Sequence, residues 1–213
     1  EDLWLLQARP LILINKPDSE EDLTRLLHII EKKISNGMNK HPFLKGSRTS
    51  YGVMPDWNPA EIIGIRPRPL AMSLYRELVT DSIWAYQRHN YGYRNLRSFP
   101  LMVNFFGLPY IDVRVSFNSF IPFDLNEDLS EKLSNYYIEK LVLQPKLHDK
   151  VEFDVVFSCY PLDLPSRLNS LHEFGFDSNE IGQISASLRR LTNKILHPEL
   201  GLWKKDAAKI DFL

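Results

Sequence analysis

Residues 126–143 read NEDLSEKLSNYYIEKLVL, and they contain the pattern that decides the fold class. Apolar side chains recur there at intervals of three or four residues, which is the period of an amphipathic helix. They are Leu129, Leu133, Tyr136, Tyr137 and Leu141. The sequence therefore predicts a long helix with one buried face, from Asn126 to Leu143.

Two further long helices are predicted on either side of it. The first begins at a cap, Asp18 or Ser19, and its apolar stripe is formed by Leu23, Leu26, Leu27, Ile30 and Ile34. The last begins at residues 177–180, DSNE, a capping-box arrangement, and its predicted buried residues are Ile181, Ile184, Leu188, Leu191 and Ile195. His197-Pro198 is expected to end it.

The region between these helices mixes shorter elements. We expect a helix from about Leu70 to Asn90, with Leu74, Leu78 and Trp84 facing inward, and a short helix over 165–173. Alternating apolar and polar residues predict half-buried strands at 111–118 and 151–157, and residues 3–14 read as a third strand. The predicted fold class is therefore α+β and predominantly α-helical, with a few short strands.

Composition excludes several classes of protein. With 26 Lys and Arg, 27 Asp and Glu and 44% hydrophobic residues, the chain can form a globular core and has no overall basic charge for nucleic acid. No apolar run approaches the length of a membrane span. The single cysteine, Cys159, cannot form an internal disulfide, so we expect a cytoplasmic protein.

Familiar catalytic and metal-binding patterns are absent from the sequence. The 9 glycines form no phosphate-binding loop, and the 6 histidines lie far apart, so each is expected to have a structural role. Cys159 is expected to be buried and inert. We therefore predict no catalytic residue and no metal site in the chain itself.

Two groups of polar residues are candidates for binding. Gln7 and Arg9 project from one face of the first strand, where an amide and a guanidinium suit a polyphosphate, although a solvated edge is the alternative. The second group is Asp112, Arg114, Ser116 and Asn118, beside several aromatic residues. These four side chains could line a pocket for a small acceptor molecule, or an internal Asp112–Arg114 pairing could organise the fold.

Residues 3–10, LWLLQARP, resemble the closing strand of the nucleotide-binding domain in the phosphoenolpyruvate synthase and pyruvate phosphate dikinase family. This family has an aromatic and apolar run before a Gln-x-Arg-Pro signature at that point. The resemblance implies that Gln7 and Arg9 contact the phosphates of ATP. It also implies that the other strands of this ATP-grasp domain belong to an upstream part of a longer polypeptide.

Three stretches of the middle are similar to the region that follows the ATP-grasp domain in phosphoenolpyruvate-synthase-like proteins. They are 56–64 (DWNPAEIIG), 66–70 (RPRPL) and 106–114 (FGLPYIDVR). Rifampin phosphotransferases have a comparable arrangement, with a mostly helical acceptor-binding domain there. The implied organisation is the end of a nucleotide-binding domain at 1–14, a helix and connecting segment at 15–55, and a central, mostly helical domain at 56–213.

Other parts of this family are not found in the chain. None of its histidines lies in a Thr-x-His type motif, no phosphoenolpyruvate-binding barrel is recognisable, and before Gln7 only Glu1 and Asp2 are acidic. The longer polypeptide would use ATP and magnesium, and its other domains would be the partners of this one. We expect no cofactor and no ATP turnover in the isolated chain.

A different class of function is an interaction module without catalysis. Such a module would bind a partner protein through the aromatic-rich region, whose members are Tyr86, Tyr91, Tyr93, Phe99, Phe105, Phe106 and Tyr110. Aromatic residues are enriched at interfaces, but they fill cores equally well. An exposed apolar patch would favour the module, and a concave pocket lined by Asp112 and Arg114 would favour the acceptor site.

Overall fold

The computed structural model describes residues 19–53, 57–144 and 162–204. By its internal contacts the chain divides into two compact units, Glu1–Asn36 and Gly37–Leu213. The predicted strands at 3–14 and 151–157 lie outside the described residues, as do Gln7, Arg9 and Cys159.

Helix α1 spans Glu20–Gly37, and all of it except the last residue belongs to the first unit. Ser19 caps the helix, because its Oγ accepts a hydrogen bond of 3.1 Å from the backbone N–H of Asp22. Three acidic residues follow in the first turn, where the helix dipole favours negative charge. The predicted helix is confirmed, and no residue in it is buried.

The second unit contains a small sheet and a series of helices. The described elements are, in chain order, β1 (Tyr51–Gly52), α2 (Pro59–Ile62), α3 (Pro69–Tyr75), a π-helical segment (Arg76–Thr80), α4 (Ile83–Tyr91), β2 (Met102–Phe105), β3 (Leu108–Asp112), α5 (Val113–Asn118), α6 (Glu127–Leu143), α7 (Leu164–Asn169), a 3₁₀ segment (Ser170–Phe174), α8 (Ser178–Leu196) and a 3₁₀ turn (Leu202–Lys204). The predicted class, α+β and predominantly helical, is confirmed.

The three strands form one antiparallel sheet in the order β1-β3-β2. Tyr51 of β1 lies opposite Asp112, and Met102 of β2 lies opposite Ile111, so β3 is the central strand. One hydrophobic core covers this sheet and is formed by α3, α4 and residues near the strands, including Trp84, Leu101 and Ile111. This core fixes where β3 ends and α5 begins.

A second hydrophobic core joins α5 to the later helices. Phe117 of α5 packs there with Leu133 and Leu141 of α6, and with Leu188 of α8. The cap residues hold the same helices at their N-termini: Asn126 Oδ1 accepts from Leu129 N at 2.8 Å, and Asp177 and Glu180 form the predicted capping box. The predictions for α6, for the short helix near 165–173 and for α8 are confirmed.

The strand predicted at 111–118 is wrong. Only its beginning belongs to β3, and the chain then turns into helix α5. Asp112 starts this helix by accepting a 3.2 Å hydrogen bond from the backbone N–H of Val115. Every residue of α5 is buried, polar and apolar alike. The alternating pattern therefore does not separate a core face from a solvent face, which is what the strand prediction assumed.

The inward face of the helical region 69–91 also differs from the prediction. Trp84 is buried as predicted, but Leu74 and Leu78 are 50% and 64% exposed. Met72 and Tyr75 face the core in their place, and the π-helical turn at Arg76–Thr80 shifts the helical register before α4. A prediction that places buried residues every four positions along one uninterrupted α-helix does not include this shift.

Tyr93 is buried against the ring of Phe120 and should influence stability at alkaline pH. Burial raises its pKa to about 12, while nearby Arg88 works in the opposite direction. The pKa of Tyr93 in the folded state lies above the ordinary 10.0. The contribution of its neutral side chain to the free energy of unfolding is therefore complete below about pH 10 and is lost as the pH rises towards about 12. Tyr93→Phe should lose less stability than the wild type across this interval.

Urea unfolding at several pH values will measure this difference. Tyr86→Phe is a suitable control, because the Tyr86 side chain is 44% exposed, and this variant should follow the wild-type pH dependence. Equal pH dependence in the Tyr93 variant and the wild type would contradict the prediction.

Candidate functional site

The four polar residues predicted as an acceptor site occupy one junction, but they are engaged in internal contacts. Asp112 ends β3, and Arg114, Ser116 and Asn118 belong to α5. The last three are between 0% and 4% exposed. Ser116 contributes its carbonyl oxygen, which accepts a 2.6 Å hydrogen bond from Ser119 Oγ. The hydrogen-bond partners of the other three side chains distinguish between an acceptor pocket and an internal structural pairing.

Thr49 connects Asp112 to the start of α5. Its hydroxyl donates to Asp112 Oδ1 at 2.5 Å and accepts from the backbone N–H of Arg114 at 3.1 Å. Burial raises the pKa of Asp112, although the hydrogen bonds from Thr49 and Val115 and the charge of Arg114 work to lower it. The carboxyl group is therefore used to join two parts of the fold.

The side-chain amide of Asn118 hydrogen-bonds both the backbone N–H and the backbone carbonyl of Lys45. Its Oδ1 accepts from Lys45 N at 2.8 Å, and its Nδ2 donates to the carbonyl oxygens of Lys45 and Arg114, each at 2.8 Å. Arg114 reaches the same segment through Nη1, which donates to Asn39 O at 2.9 Å. Both polar atoms of the Asn118 side-chain amide, Oδ1 and Nδ2, thus have hydrogen-bond partners inside the protein.

Residues 39–52 are fixed by these contacts. The sequence predicted only a connecting segment there, because it lacks periodicity. In the structure Leu44 and Thr49 are buried, and β1 joins the sheet at the end of the segment. The contacts support the second interpretation of the polar group, an internal network that organises the fold, with Thr49 as the link between Asp112 and Arg114.

A concave site lies elsewhere in the second unit. A cavity of about 520 Å³ opens where the end of α4 meets α8 and the residues before α6. Its lining combines cationic, polar and apolar groups. They are His89, Asn90, Gly92, Arg97, Phe123, Asp124, Arg190, Leu191 and Lys194. The volume lies within the range of small-molecule sites.

One carboxylate anchors the helical side of this cavity. Asp124 Oδ2 accepts from Arg190 Nε at 2.5 Å, and Asp124 Oδ1 accepts from Ser187 Oγ. Burial works to raise the pKa of Asp124, but the hydrogen bonds from Ser187 and Arg190 outweigh it and hold the pKa below its usual value. Asp124 is therefore charged at neutral pH and orients Arg190 at the rim.

The backbone of Gly92 makes room for Lys194. Gly92 has a φ of +111° and ends α4, and a Cβ at this position would lie 2.8 Å from Leu191 Cδ1 and 3.2 Å from Lys194 Nζ. A side chain at residue 92 would thus displace Leu191 or Lys194 from the cavity wall. Glycine is needed here both for the left-handed conformation and for this close approach.

Sequence reasoning did not identify the cavity. Its cationic residues come from places about a hundred positions apart in the chain, and no motif connects them. His89 was expected to be structural, like the other histidines, and its Nδ1 does lie 3.3 Å from Tyr93 O. His172 and His197 likewise contact backbone groups nearby. Only the tertiary structure places His89 beside Arg97 and Lys194.

The aromatic-rich region does not form one continuous exposed surface. Tyr93 and Phe105 are buried, whereas Tyr86 and Phe106 are 44% and 55% exposed. A different apolar surface is exposed on α3 and the π-helical segment, at Leu70, Leu74 and Leu78. The surface that favours an interaction module is therefore aliphatic, and sequence reasoning had assigned part of it to the core.

The described residues contain neither a metal-binding cluster nor a membrane-spanning helix. Within 19–53, 57–144 and 162–204, no three His, Cys, Asp or Glu side chains are placed so that they could hold a metal ion. None of the helices in these ranges is both long and apolar enough to cross a membrane.

Comparison of the chain with known protein families, with curated proteins and with solved structures found no match.

Proposed function

We propose that the chain is the central part of a phosphoenolpyruvate-synthase-like phosphotransferase. Such an enzyme moves phosphate from ATP, through a phosphohistidine, to pyruvate or another small acceptor. The observation that carries the proposal is the stretch Gln7-Ala8-Arg9-Pro10 after an aromatic and apolar run. The predominantly helical fold of the second unit agrees with the acceptor-binding domain that the resemblance implies at this place.

Within this proposal, the chain contributes positioning and not the phosphate carrier. Gln7 and Arg9 would contact the ATP phosphates, since guanidinium and amide groups donate well to phosphate oxygens. ATP and magnesium would bind to the longer polypeptide, with the acidic magnesium ligands and the phosphohistidine on its other domains. A cytoplasmic location is part of the same proposal, and the lone Cys159 agrees with it.

Asp112, Arg114, Ser116 and Asn118 receive a structural role in this proposal. The hydrogen bonds of Asp112, Arg114 and Asn118 are directed at residues 39–49 and at α5 itself, while the buried Nε of Arg114 has no partner among the described residues. If they bound the acceptor instead, their replacement would weaken acceptor use in a protein that remains folded.

Arg9→Met in the longer polypeptide tests the nucleotide role. We expect phosphorylation by labelled ATP to fall by about 10- to 100-fold, because a charge-assisted hydrogen bond contributes about 1.5–3 kcal/mol. The phosphoprotein should be acid-labile and stable to base, as a phosphohistidine is. Arg25→Met, on exposed α1, is the matched control and should retain the wild-type rate.

Two results would contradict the proposal. One is the absence of any acid-labile phosphoprotein in the longer polypeptide after incubation with ATP. The other is ATP turnover by the isolated 213-residue chain, which lacks a recognisable phosphohistidine motif.

The exposed aliphatic surface supports a second candidate, a non-catalytic interaction module. Leu70, Leu74 and Leu78 are 70%, 50% and 64% exposed on successive helical turns, and contiguous exposed apolar side chains mark interaction sites. A Leu70→Glu, Leu74→Glu variant should fold normally. If phosphotransfer in the longer polypeptide survives this change while binding of a partner protein is lost, the module is the better description of this domain.

A further inference from the structure

We propose that the cavity between α4 and α8 binds a phosphate-bearing small molecule. The inference depends on the cavity alone and does not require the phosphotransfer proposed above. With a volume of about 520 Å³, the cavity has room for a small-molecule ligand.

The charge of the lining selects for an anion. Arg97, Arg190 and Lys194 line the cavity, and Asp124 is the one carboxylate among the lining residues. Asp124 pairs with Arg190, and no carboxylate among the described residues pairs with Arg97 or Lys194. The C-terminal end of α4, beside Lys194, contributes about half a negative charge through the helix dipole. The lining of the cavity therefore keeps a net positive charge.

Arg97 provides a hydrogen-bond donor that has no acceptor in the protein. Its guanidinium stacks on the ring of Tyr86, with the central carbon 3.6 Å from the ring centroid, and this stacking fixes its plane. Its Nε is buried and makes no hydrogen bond within the described residues. A buried donor without an acceptor is unfavourable, and because solvent does not reach this Nε, an anion contacts it only when the Arg97 side chain moves.

Arg190 is similarly prepared for a ligand. Asp124 binds its Nε, and its two terminal amino groups make no hydrogen bond within the described part of the chain. Arginine groups held in a fixed plane match the oxygen geometry of phosphate. A phosphate ester carries close to two negative charges at neutral pH, which fits this net positive charge better than a single carboxylate does.

The apolar part of the lining indicates what the phosphate is attached to. Phe123 and Leu191 supply apolar surface, and the ring of His89 lies 6.4 Å from that of Phe123. With the His89 proton on Nδ1, directed at Tyr93 O, its Nε2 is an acceptor for a ligand hydroxyl. The ligand class is therefore a phosphate ester with a small, partly apolar body.

NMR titration of the full chain with inorganic phosphate, at constant ionic strength, tests the anion part of the site. The Nε–H resonance of Arg97 and the backbone amide of Gly92 should shift together and saturate. Lys194→Met should weaken phosphate binding about tenfold, since loss of one charge-assisted hydrogen bond is worth about 1.4 kcal/mol. Lys194 is exposed, so this change should leave the fold intact.

Arg189→Met is the matched control, because Arg189 lies on the exposed side of the same helix and does not line the cavity. It removes one positive charge and should change phosphate affinity less than twofold. Arg97→Met should abolish the reporter resonance and reduce affinity, as seen through the Gly92 amide. A titration with glycerol 3-phosphate should saturate at lower concentration than one with inorganic phosphate.

Three outcomes would overturn the inference. They are an Arg97 Nε–H resonance that does not respond to phosphate, equal loss of affinity in Lys194→Met and Arg189→Met, and acetate binding at the same concentrations as phosphate. The second outcome would mean general attraction of anions to the surface, and the third would mean a carboxylate site.

Discussion

Asn118→Ala should lower the free energy of unfolding by about 3–5 kcal/mol, because it leaves several buried backbone groups without partners at about 1–3 kcal/mol each. Asn118 is completely buried, and its amide bonds both the N–H and the carbonyl of Lys45 as well as the carbonyl of Arg114. Two of these bonds are part-buried and one is buried, so water replaces them less readily than it replaces exposed bonds.

Asn135→Ala provides the matched control for this substitution. Asn135 bonds the same segment, since its Oδ1 accepts from the backbone N–H of Ser47 at 2.8 Å and from Ser47 Oγ at 3.0 Å. These bonds are exposed, so water can take over and the cost should stay below about 1 kcal/mol. Urea unfolding gives both free energies, and hydrogen exchange at the Lys45 amide should accelerate only in the Asn118 variant. Equal costs for the two variants would contradict the internal network.

Asp112→Ala should cost about 1–3 kcal/mol, because it removes the cap of α5 and the shorter of the two hydrogen bonds that the Thr49 hydroxyl can donate. Asp112→Asn keeps an oxygen in the place of Oδ1 and should cost less than about 1 kcal/mol at neutral pH. The pair also separates the two interpretations of this residue. Acceptor binding by a carboxylate would be lost in both variants, whereas a structural role is lost only in the alanine variant.

The pH dependence of the asparagine variant has a definite sign. Burial raises the pKa of Asp112 above its ordinary value of 3.8, despite the hydrogen bonds from Thr49 and Val115. The contribution of the protonated Asp112 carboxyl to the free energy of unfolding is therefore complete below pH 3.8. It is lost as the pH rises through the raised pKa. Asp112→Asn, which stays neutral, should gain stability relative to the wild type over that rise. Parallel unfolding free energies at all pH values would contradict this.

The elements that could be predicted from sequence are those whose signals are local. Helix α6 follows from the spacing of Leu129, Leu133 and Leu141, and α8 follows from the reciprocal bonds of Asp177 and Glu180, which lie three residues apart. Both signals involve residues within one or two helical turns. The surrounding protein adds packing to such elements without changing their period.

The first candidate site shows where local signals fail. Residues 111–118 alternate in polarity, and this pattern predicts a strand only if the polar side chains face water. In the protein, Thr49, Lys45 and Asn39 supply partners for these side chains inside the fold, from positions more than sixty residues earlier. The side chains of Asp112, Arg114 and Asn118 are thus hydrogen-bonded inside the fold, and the cap at Asp112 favours a helix.

The sequence alone determined the helical class, the caps of the long helices and the neutral composition, because these depend on neighbours in the chain. The tertiary structure alone decided that Asp112 and Asn118 organise the fold and that Arg97, Arg190 and Lys194 share a cavity. Such groupings arise when segments that are distant in the chain pack against each other. A packing partner sixty or a hundred residues away leaves no periodic trace in the sequence around either residue.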